Sequence, residues 1–258
     1  MTEPTSVDEY KQWAKEELGD DLSADSTRRI YETNVGQGLS ALQQTGFVRG
    51  LSDFLEGCDE RYRAETSSRL RMTHGTVEFA AKPFDSVINK LFRLNVVWNR
   101  SYPKAPKDGW YTSKNMYARI DDLIRTTVVC KFLDGPEFLA EALTGYSVGL
   151  GLDVEARSLE REEGYYAFHV YPRFALQVVD ETWSTTDTMV EVEIQITTQL
   201  QEVLRELTHR FYEEIRLQRV PDKKLWKWQS NDPRFRAGFL SHSLHMLEGL
   251  ILELRNDA

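Results

Sequence analysis

The sequence predicts an α+β fold: a central mixed β-sheet of about five strands, flanked by helices, with helical extensions at both ends. Three observations predict it. The N-terminal third carries apolar residues at helical spacing. The character changes at Ile120, after which β-branched and alternating runs continue to Thr198. From Gln199 onward helical spacing returns.

The elements follow in order. Val7–Leu18 opens after Ser6 and is rich in helix formers. A second helix is expected from Ser23 or Ser26 to Gln44. A third is expected over Gly46–Arg69, with Phe47, Leu51, Phe54 and Leu55 on its apolar face. Pro83 starts another, Pro83–Leu94, because its fixed φ suits a first turn. Arg100–Met116 reads as a loop whose Trp and Tyr residues pack on something or cover a site. Arg125–Phe132 reads as a buried strand ended by Asp134-Gly135-Pro136, which starts a helix to about Tyr146. Leu152–Leu159, Tyr165–Gln177 and Met189–Thr198 read as three further strands. Gln199–Arg219 is predicted helical, with Leu200, Val203, Leu204, Leu207 and Phe211 along one face. A loop over Pro221–Pro233 leads to a closing helix, Arg234–Arg255, with Phe235, Phe239, Leu244, Leu247 and Leu250 or Ile251. The expected division is a helical extension over 1–77, a core over 78–219 and a packed C-terminal loop and helix over 220–258.

Composition narrows the function classes. With 258 residues, 41% hydrophobic and 28% charged, the chain is long enough for one large domain or two small ones. A net charge of −9 argues against broad non-specific nucleic-acid binding and leaves room for a local basic cleft. Cys58 and Cys130 lie too far apart to form a metal spacing and read as reduced thiols. The polar, acidic N-terminus carries no signal, and no apolar run reaches the length of a membrane span. A cytoplasmic protein with no membrane partner is expected.

Glu193 is the first residue to explain, because a carboxylate in the apolar run Val192-Glu193-Ile194-Gln195-Ile196 needs a partner. Asp122 stands just before another strand. Two acidic groups from different strands can hold one Mg²⁺, with water and phosphate oxygens completing its shell. A turn Asp and an edge-strand Glu paired with Arg is the structural alternative. Gly164 permits a tight turn before Tyr165, whose ring can stack on a base. His169 lies at even spacing from Tyr165, so the two share a face. Lys82, Ser86, Lys90 and Arg93 fall at helical spacing and can clamp phosphates, or can form an ordinary solvated face. His209 follows on the next helix. His242, His245 and Glu248 read as packing residues of the last helix rather than a metal site. No phosphate-binding GxxxxGK[ST] loop, dinucleotide GxGxxG or HExxH occurs.

The succession is more specific than its parts. Lys82-x-x-x-Ser86-x-x-x-Lys90-Leu91, then Asp122-Leu123, Gly164-Tyr165-x-x-x-His169, Glu193-x-Gln195-Ile196-x-Thr198 and a helical His209 resemble the synthetase domain of the RelA/SpoT family. The resemblance covers roughly residues 78–215. It implies a nucleotidyltransferase-like fold and an Mg²⁺-dependent pyrophosphokinase. Such an enzyme moves the β,γ-pyrophosphoryl group of ATP to the 3′-hydroxyl of GDP, GTP or an adenosine nucleotide, making (p)ppGpp or (p)ppApp. By that resemblance Asp122 and Glu193 are the catalytic carboxylates and metal ligands. Lys82, Ser86, Lys90, Arg93 and Arg125 bind ATP. Tyr165, His169, Gln195 and His209 bind the acceptor. Small stand-alone members include toxins with antitoxin partners, and some pyrophosphorylate the 3′ end of tRNA. That activity, with Arg28-Arg29, Lys104–Lys107 and Lys223–Lys227 as candidate contacts, and a degenerate nucleotide- or partner-binding module are the alternative readings.

The chain departs from the family at three positions. Ala80, Thr127 and Thr197 stand where arginines are common. Arg100, Arg125, Lys131 and Arg161 are candidate replacements.

Overall fold

The computed structural model describes residues 3–73, 75–160, 164–216 and 229–257, without the side chains of 208–216. Helices α1 (Val7–Leu18), α2 (Asp25–Gln43) and α3 (Gly46–Thr66) come first. The Ser6 side chain caps α1, accepting from the Glu9 amide at 3.2 Å, and Thr45 caps α3 in the same way through the Val48 amide. Strand β1 (Ala80–Ala81), missing from the sequence reading because two alanines carry no periodicity, leads into α4 (Phe84–Phe92). A π-helical turn, Arg93–Val97, continues α4 and ends before Trp98. A short α5 (Met116–Arg119) precedes β2 (Ile124–Cys130) and α6 (Gly135–Gly149). Then come β3 (Val154–Glu160), β4 (Tyr166–Val179), β5 (Thr185–Thr198), α7 (Gln199–Arg216) and α8 (Pro233–Asn256).

The five strands form one sheet in the order β1-β2-β5-β4-β3. β2 and β5 are parallel and every other pair is antiparallel, so the sheet is mixed. The β4–β5 hairpin closes at Asp180, whose carboxylate accepts from the Thr182 and Ser184 amides at 2.7 and 3.0 Å.

Strand periodicity splits the sheet into two unlike faces. Ile124 and Val128 of β2, Val170 and Phe174 of β4, and Val192, Ile194 and Ile196 of β5 are buried in the main core. Gly38 lets α2 approach this face: a Cβ there would lie 3.3 Å from both Ile124 and Leu176. The opposite face holds Arg125, Thr127, His169, Tyr171, Glu193 and Gln195, brought side by side by the register Arg125↔Glu193, Thr127↔Gln195 and His169↔Gln195. The sequence divides apolar from polar by parity; the register aligns the polar halves.

The aromatic 100–116 loop packs on the N-terminal helices. Trp110 meets Trp13 edge-on at 5.0 Å, and Asn95 pins the Tyr111 backbone through both ends of its amide, at 2.7 and 2.9 Å. Cys58 and Cys130 are buried free thiols. No described helix is long and apolar enough to cross a membrane.

Two helices differ from expectation. On α7, Leu204 is buried, but Val203 and Leu207 are exposed. On α8, Phe239, Leu247, Leu250 and Ile251 face outward, and Ala237, Ser241 and Glu248 face inward. Periodicity identifies an apolar stripe but not the side on which the fold places it.

Candidate active site

The site is built around Glu193, which is 5% exposed. His169 Nδ1 lies 2.8 Å from Glu193 Oε1, and the Tyr171 hydroxyl donates to the same oxygen at 3.2 Å. Gln195 Nε2 donates to Glu193 Oε2 at 2.7 Å, while Gln195 Oε1 faces the Thr127 hydroxyl at 3.4 Å. Both carboxylate oxygens therefore have donors, which is what burial of this group demands. Tyr165 contacts the other ring nitrogen, with its hydroxyl 2.9 Å from His169 Nε2. A neutral imidazole satisfies all these contacts with its proton on Nδ1, toward the carboxylate, and Nε2 accepting from Tyr165. Tyr165 and His169 do share a face, their rings edge-on at 6.0 Å. Burial and the neighbouring Glu193 charge push the Tyr171 hydroxyl far above its ordinary pKa, so it remains a donor.

Gly164 sets the position of Tyr165. Its φ of +88° is left-handed, and a Cβ there would lie 2.5 Å from Ser241 Cβ on α8. The Ser241 hydroxyl donates to the Gly164 carbonyl.

A second cluster stands at the start of β2. Lys82 Nζ reaches Asp122 Oδ2 at 2.7 Å, and Lys90 Nζ reaches Asp122 Oδ1 at 2.9 Å and Asp121 Oδ1 at 2.5 Å. Two backbone bonds place Lys82: its amide donates to Leu123 at 2.8 Å, and its carbonyl accepts from the Tyr31 hydroxyl at 2.5 Å. Burial raises the pKa of Asp122, but Lys90 and Lys82 outweigh it and hold the group well below the usual carboxylate range. Burial lowers the pKa of Lys82. For Lys90 burial acts in the same direction, but the two aspartates outweigh it and raise its pKa.

The two clusters are connected. The Arg157 guanidinium on β3 lies 4.8 Å from the Tyr171 ring centre and 3.9 Å from Asp121 Oδ2. Contacts thus run unbroken from Glu193 through Tyr171, Arg157, Asp121 and Lys90 to Asp122 and Lys82. Arg125 lies opposite Glu193 in register, and its charge is felt by Lys82. Among the described residues no hydrogen bond or ion pair holds its guanidinium.

Tyr171, Asp121 and Arg157 were absent from the sequence-predicted set. Tyr171 was recoverable, being two residues beyond His169 on the same strand and hence on the same face. Arg157 was not, because its place depends on the β3–β4 register, Arg157↔His169.

The remaining expected residues are placed less centrally. Ser86 is half-buried on α4. Arg93 is buried, donates to the Asn89 carbonyl at 3.2 Å and lies 4.9 Å from the Trp98 ring centre. His209 lies on α7, and its side chain is outside the described residues, as are Arg161 and the stretch 223–227. Thr197 is buried and donates to the Tyr166 carbonyl at 3.1 Å. Arg28 is held by Asp85 at 2.6 Å. His245 stacks on Tyr166 at 3.8 Å, and His242 Nδ1 lies 2.6 Å from the Tyr166 hydroxyl.

No metal-binding group of three or more His, Cys, Asp or Glu occurs among the described residues. The available donors are carboxylate oxygens with lone pairs beyond those used by lysine. They fit an ion such as Mg²⁺ that takes one or two protein carboxylates and fills its shell with water and phosphate.

No protein-family profile and no curated protein matches the chain. Solved structures do. The small alarmone synthetase 1 from Bacillus subtilis matches at 19% identity with a TM-score of 0.50, over 81% of this chain and 91% of that one. The same enzyme bound to its product pppGpp matches at 19% identity and a TM-score of 0.51, with the same coverage. A GTP pyrophosphokinase family protein from Streptococcus pneumoniae matches at 19% identity and 0.50, over 81% of this chain and 88% of that one. The mixed five-stranded sheet with its flanking helices is the fold of the small alarmone synthetases.

Proposed function

We propose that this protein is an Mg²⁺-dependent pyrophosphokinase that transfers the β,γ-pyrophosphoryl group of ATP to the 3′-hydroxyl of a guanosine nucleotide, making a (p)ppGpp-type alarmone. The observation that carries this reading is Glu193. It is a buried carboxylate with a fully organised set of donors, on the polar face of a sheet with the alarmone-synthetase fold.

The division of labour follows from the charges. Lys82, Lys90 and Arg125 bind the ATP phosphates, exchanging carboxylate oxygens for phosphate oxygens as the nucleotide arrives. Ser86 on α4 and Arg93 on the π-helical turn after it extend this surface. Asp122, ionised at neutral pH, and Glu193 are the carboxylates that would hold Mg²⁺. When bound, the ion supplies neutralisation of phosphate charge and orientation of the transferring group. Tyr165 presents its half-exposed ring to the acceptor base, with its hydroxyl anchored on His169. Gln195 and His209 complete the acceptor side.

Glu193 takes the proton of the acceptor 3′-hydroxyl. The acceptor oxygen then forms a bond to the β-phosphorus, the bond from that phosphorus to the α,β-bridging oxygen breaks, and AMP leaves. His169, Tyr171 and Gln195 hold the carboxylate in one orientation, so little reorganisation accompanies the transfer.

Thr127 and Thr197 leave fewer fixed cations around the nucleotides, and this favours testing adenosine acceptors beside guanosine ones. The test is incubation with γ-labelled ATP, Mg²⁺ and a panel of GDP, GTP, ADP, ATP and tRNA. Label on the 3′ position of a guanosine nucleotide is expected. Label on an adenosine nucleotide or tRNA alone would reassign the acceptor, and no labelled acceptor of any kind would refute the reaction.

A further inference from the structure

A hollow of about 340 Å³ opens at the hairpin end of the sheet, a volume in the range of small-molecule sites. Ile30 of α2, Met116 and Tyr117 of α5, and Val178 and Val179 at the end of β4 form its apolar wall. Val178 lies on the sheet face of Phe174 and Leu176, opposite the face of His169 and Tyr171. Its partner across the hairpin, Thr186, is seven residues from Glu193, about 23 Å along the strand. The hollow is therefore separate from the polar face that carries the chemistry.

Dedicated polar ties hold its walls. Asn34 of α2, itself buried, grips the Val179 backbone with both ends of its amide, at 2.9 and 2.8 Å. The buried Asp20 accepts from the Ser113 amide at 2.8 Å and from the Ser113 hydroxyl at 2.5 Å. The Asp180 turn sets the third side. Interiors are otherwise close-packed, so an apolar hollow with walls pinned in this way is a preformed site.

The rim selects the ligand. Lys114, Asp180, Glu181 and Thr182 are exposed around the opening. The Thr182 hydroxyl and the Thr182 and Ser184 amides all donate to Asp180 Oδ1, lowering its pKa and keeping it ionised. Among the described residues Glu181 meets one cation, Lys114, at 3.8 Å, which is beyond hydrogen-bond length. Two carboxylates thus face one ammonium. The rim repels phosphates and carboxylates and attracts a cation.

Contacts lead from the hollow to the nucleotide lysine. Tyr117 stacks on Tyr31 with ring centres 6.4 Å apart, and the Tyr31 hydroxyl donates to the Lys82 carbonyl at 2.5 Å. Tyr117 also stands on α5, the helical turn that precedes Asp121 and Asp122.

We propose that this hollow is a second binding site, for a small organic cation with a ring-sized apolar body, and that its occupancy is transmitted to Lys82 through Tyr117 and Tyr31. The ring fills the space between Ile30, Met116 and Val178, and the cationic head meets Asp180 and Glu181. The site does not rest on the assigned reaction.

The test uses the full chain and three probes that share one ring body and differ in charge: tryptamine, indole and indole-3-acetate. In methyl NMR titrations tryptamine is expected to shift the Ile30 and Met116 resonances saturably. It should bind at least about 5-fold more tightly than indole-3-acetate, the worth of the rim charges at a solvated surface. Glu181→Lys should reverse that order without touching the apolar wall. Ile30→Trp fills the hollow and should abolish the Met116 shift with an unchanged circular dichroism spectrum. The Lys82 amide resonance should move with tryptamine in the wild-type chain and in Glu181→Lys at saturation, and stay still in Ile30→Trp. Tyr31→Phe should keep the Met116 shift and lose the one at Lys82. Absence of a saturable methyl shift with every probe would overturn the site. An order of affinities unmoved by Glu181→Lys would overturn the ligand class. A Lys82 resonance that stays still while Met116 shifts in the wild-type chain would overturn the transmission.

Discussion

Tyr171 donates its hydroxyl to Glu193 at 3.2 Å from the neighbouring strand, and the same hydroxyl lies 2.9 Å from His169 Nδ1. The three side chains form a closed triangle on the polar face of the sheet. Its consequence is a carboxylate that is buried and fixed in one orientation. Glu193→Gln keeps the size of the side chain and removes the proton acceptor. Pyrophosphoryl transfer is expected to fall by about 100-fold or more. The melting temperature should remain within a few degrees of wild type. A single-turnover assay with labelled ATP, beside a thermal melt, checks both.

Asp122 is the shared counter-charge of two buried lysines, and its removal is expected to cost stability. Asp122→Asn leaves Lys82 without an anionic partner and is expected to destabilise the protein by about 3 kcal/mol, in the range for breaking a buried pair. The pH dependence has a definite sign. The folded pKa of Asp122 is depressed, so its contribution is present above the unfolded value of about 3.9 and is lost as pH falls through the folded value. Urea titrations should therefore show a wild-type advantage that is constant near neutrality and shrinks below about pH 4.

Glu248 is the opposite case. It is buried on the inner face of α8, where burial raises its pKa against the opposing effect of hydrogen bonds from Thr198 and Gln201. A raised carboxyl contributes stability that is present below the unfolded value and lost as pH rises through the folded one. Glu248→Gln keeps an acceptor for Gln201, which donates to Glu248 at 3.3 Å. At pH 7 it is expected to stabilise the protein by about 1 kcal/mol. Thermal melts of the pair should converge near pH 4.

Arg125 has its charge beside Lys82 and no hydrogen bond or ion pair among the described residues. Arg125→Ala is therefore expected to change stability by no more than about 0.5 kcal/mol. The same substitution should raise KM for ATP by about 10-fold, the worth of one charge-assisted contact of about 1.4 kcal/mol. Steady-state kinetics with varied ATP checks it; an unchanged KM would place Arg125 outside the nucleotide site.

Much of the architecture was legible because it rests on local rules. The helix start after Ser6 and the β-branched run before Cys130 are short-range signals. The common face of Tyr165 and His169 follows from a period of two. The candidate site was legible only in part, for the same reason. Glu193 announced itself as a carboxylate among apolar neighbours, but its partners His169 and Tyr171 come from β4 and its neighbour Arg125 from β2.

The sequence by itself determined which residues alternate, which helices begin where, and that a buried acid had to be satisfied. Only the tertiary structure decided which donors satisfy it, that Arg157 joins the two clusters, and that the apolar stripe of α8 faces outward. The physical reason is one of range. Periodicity and capping are encoded within a few residues, whereas strand register and helix rotation are settled by packing between segments far apart in the chain.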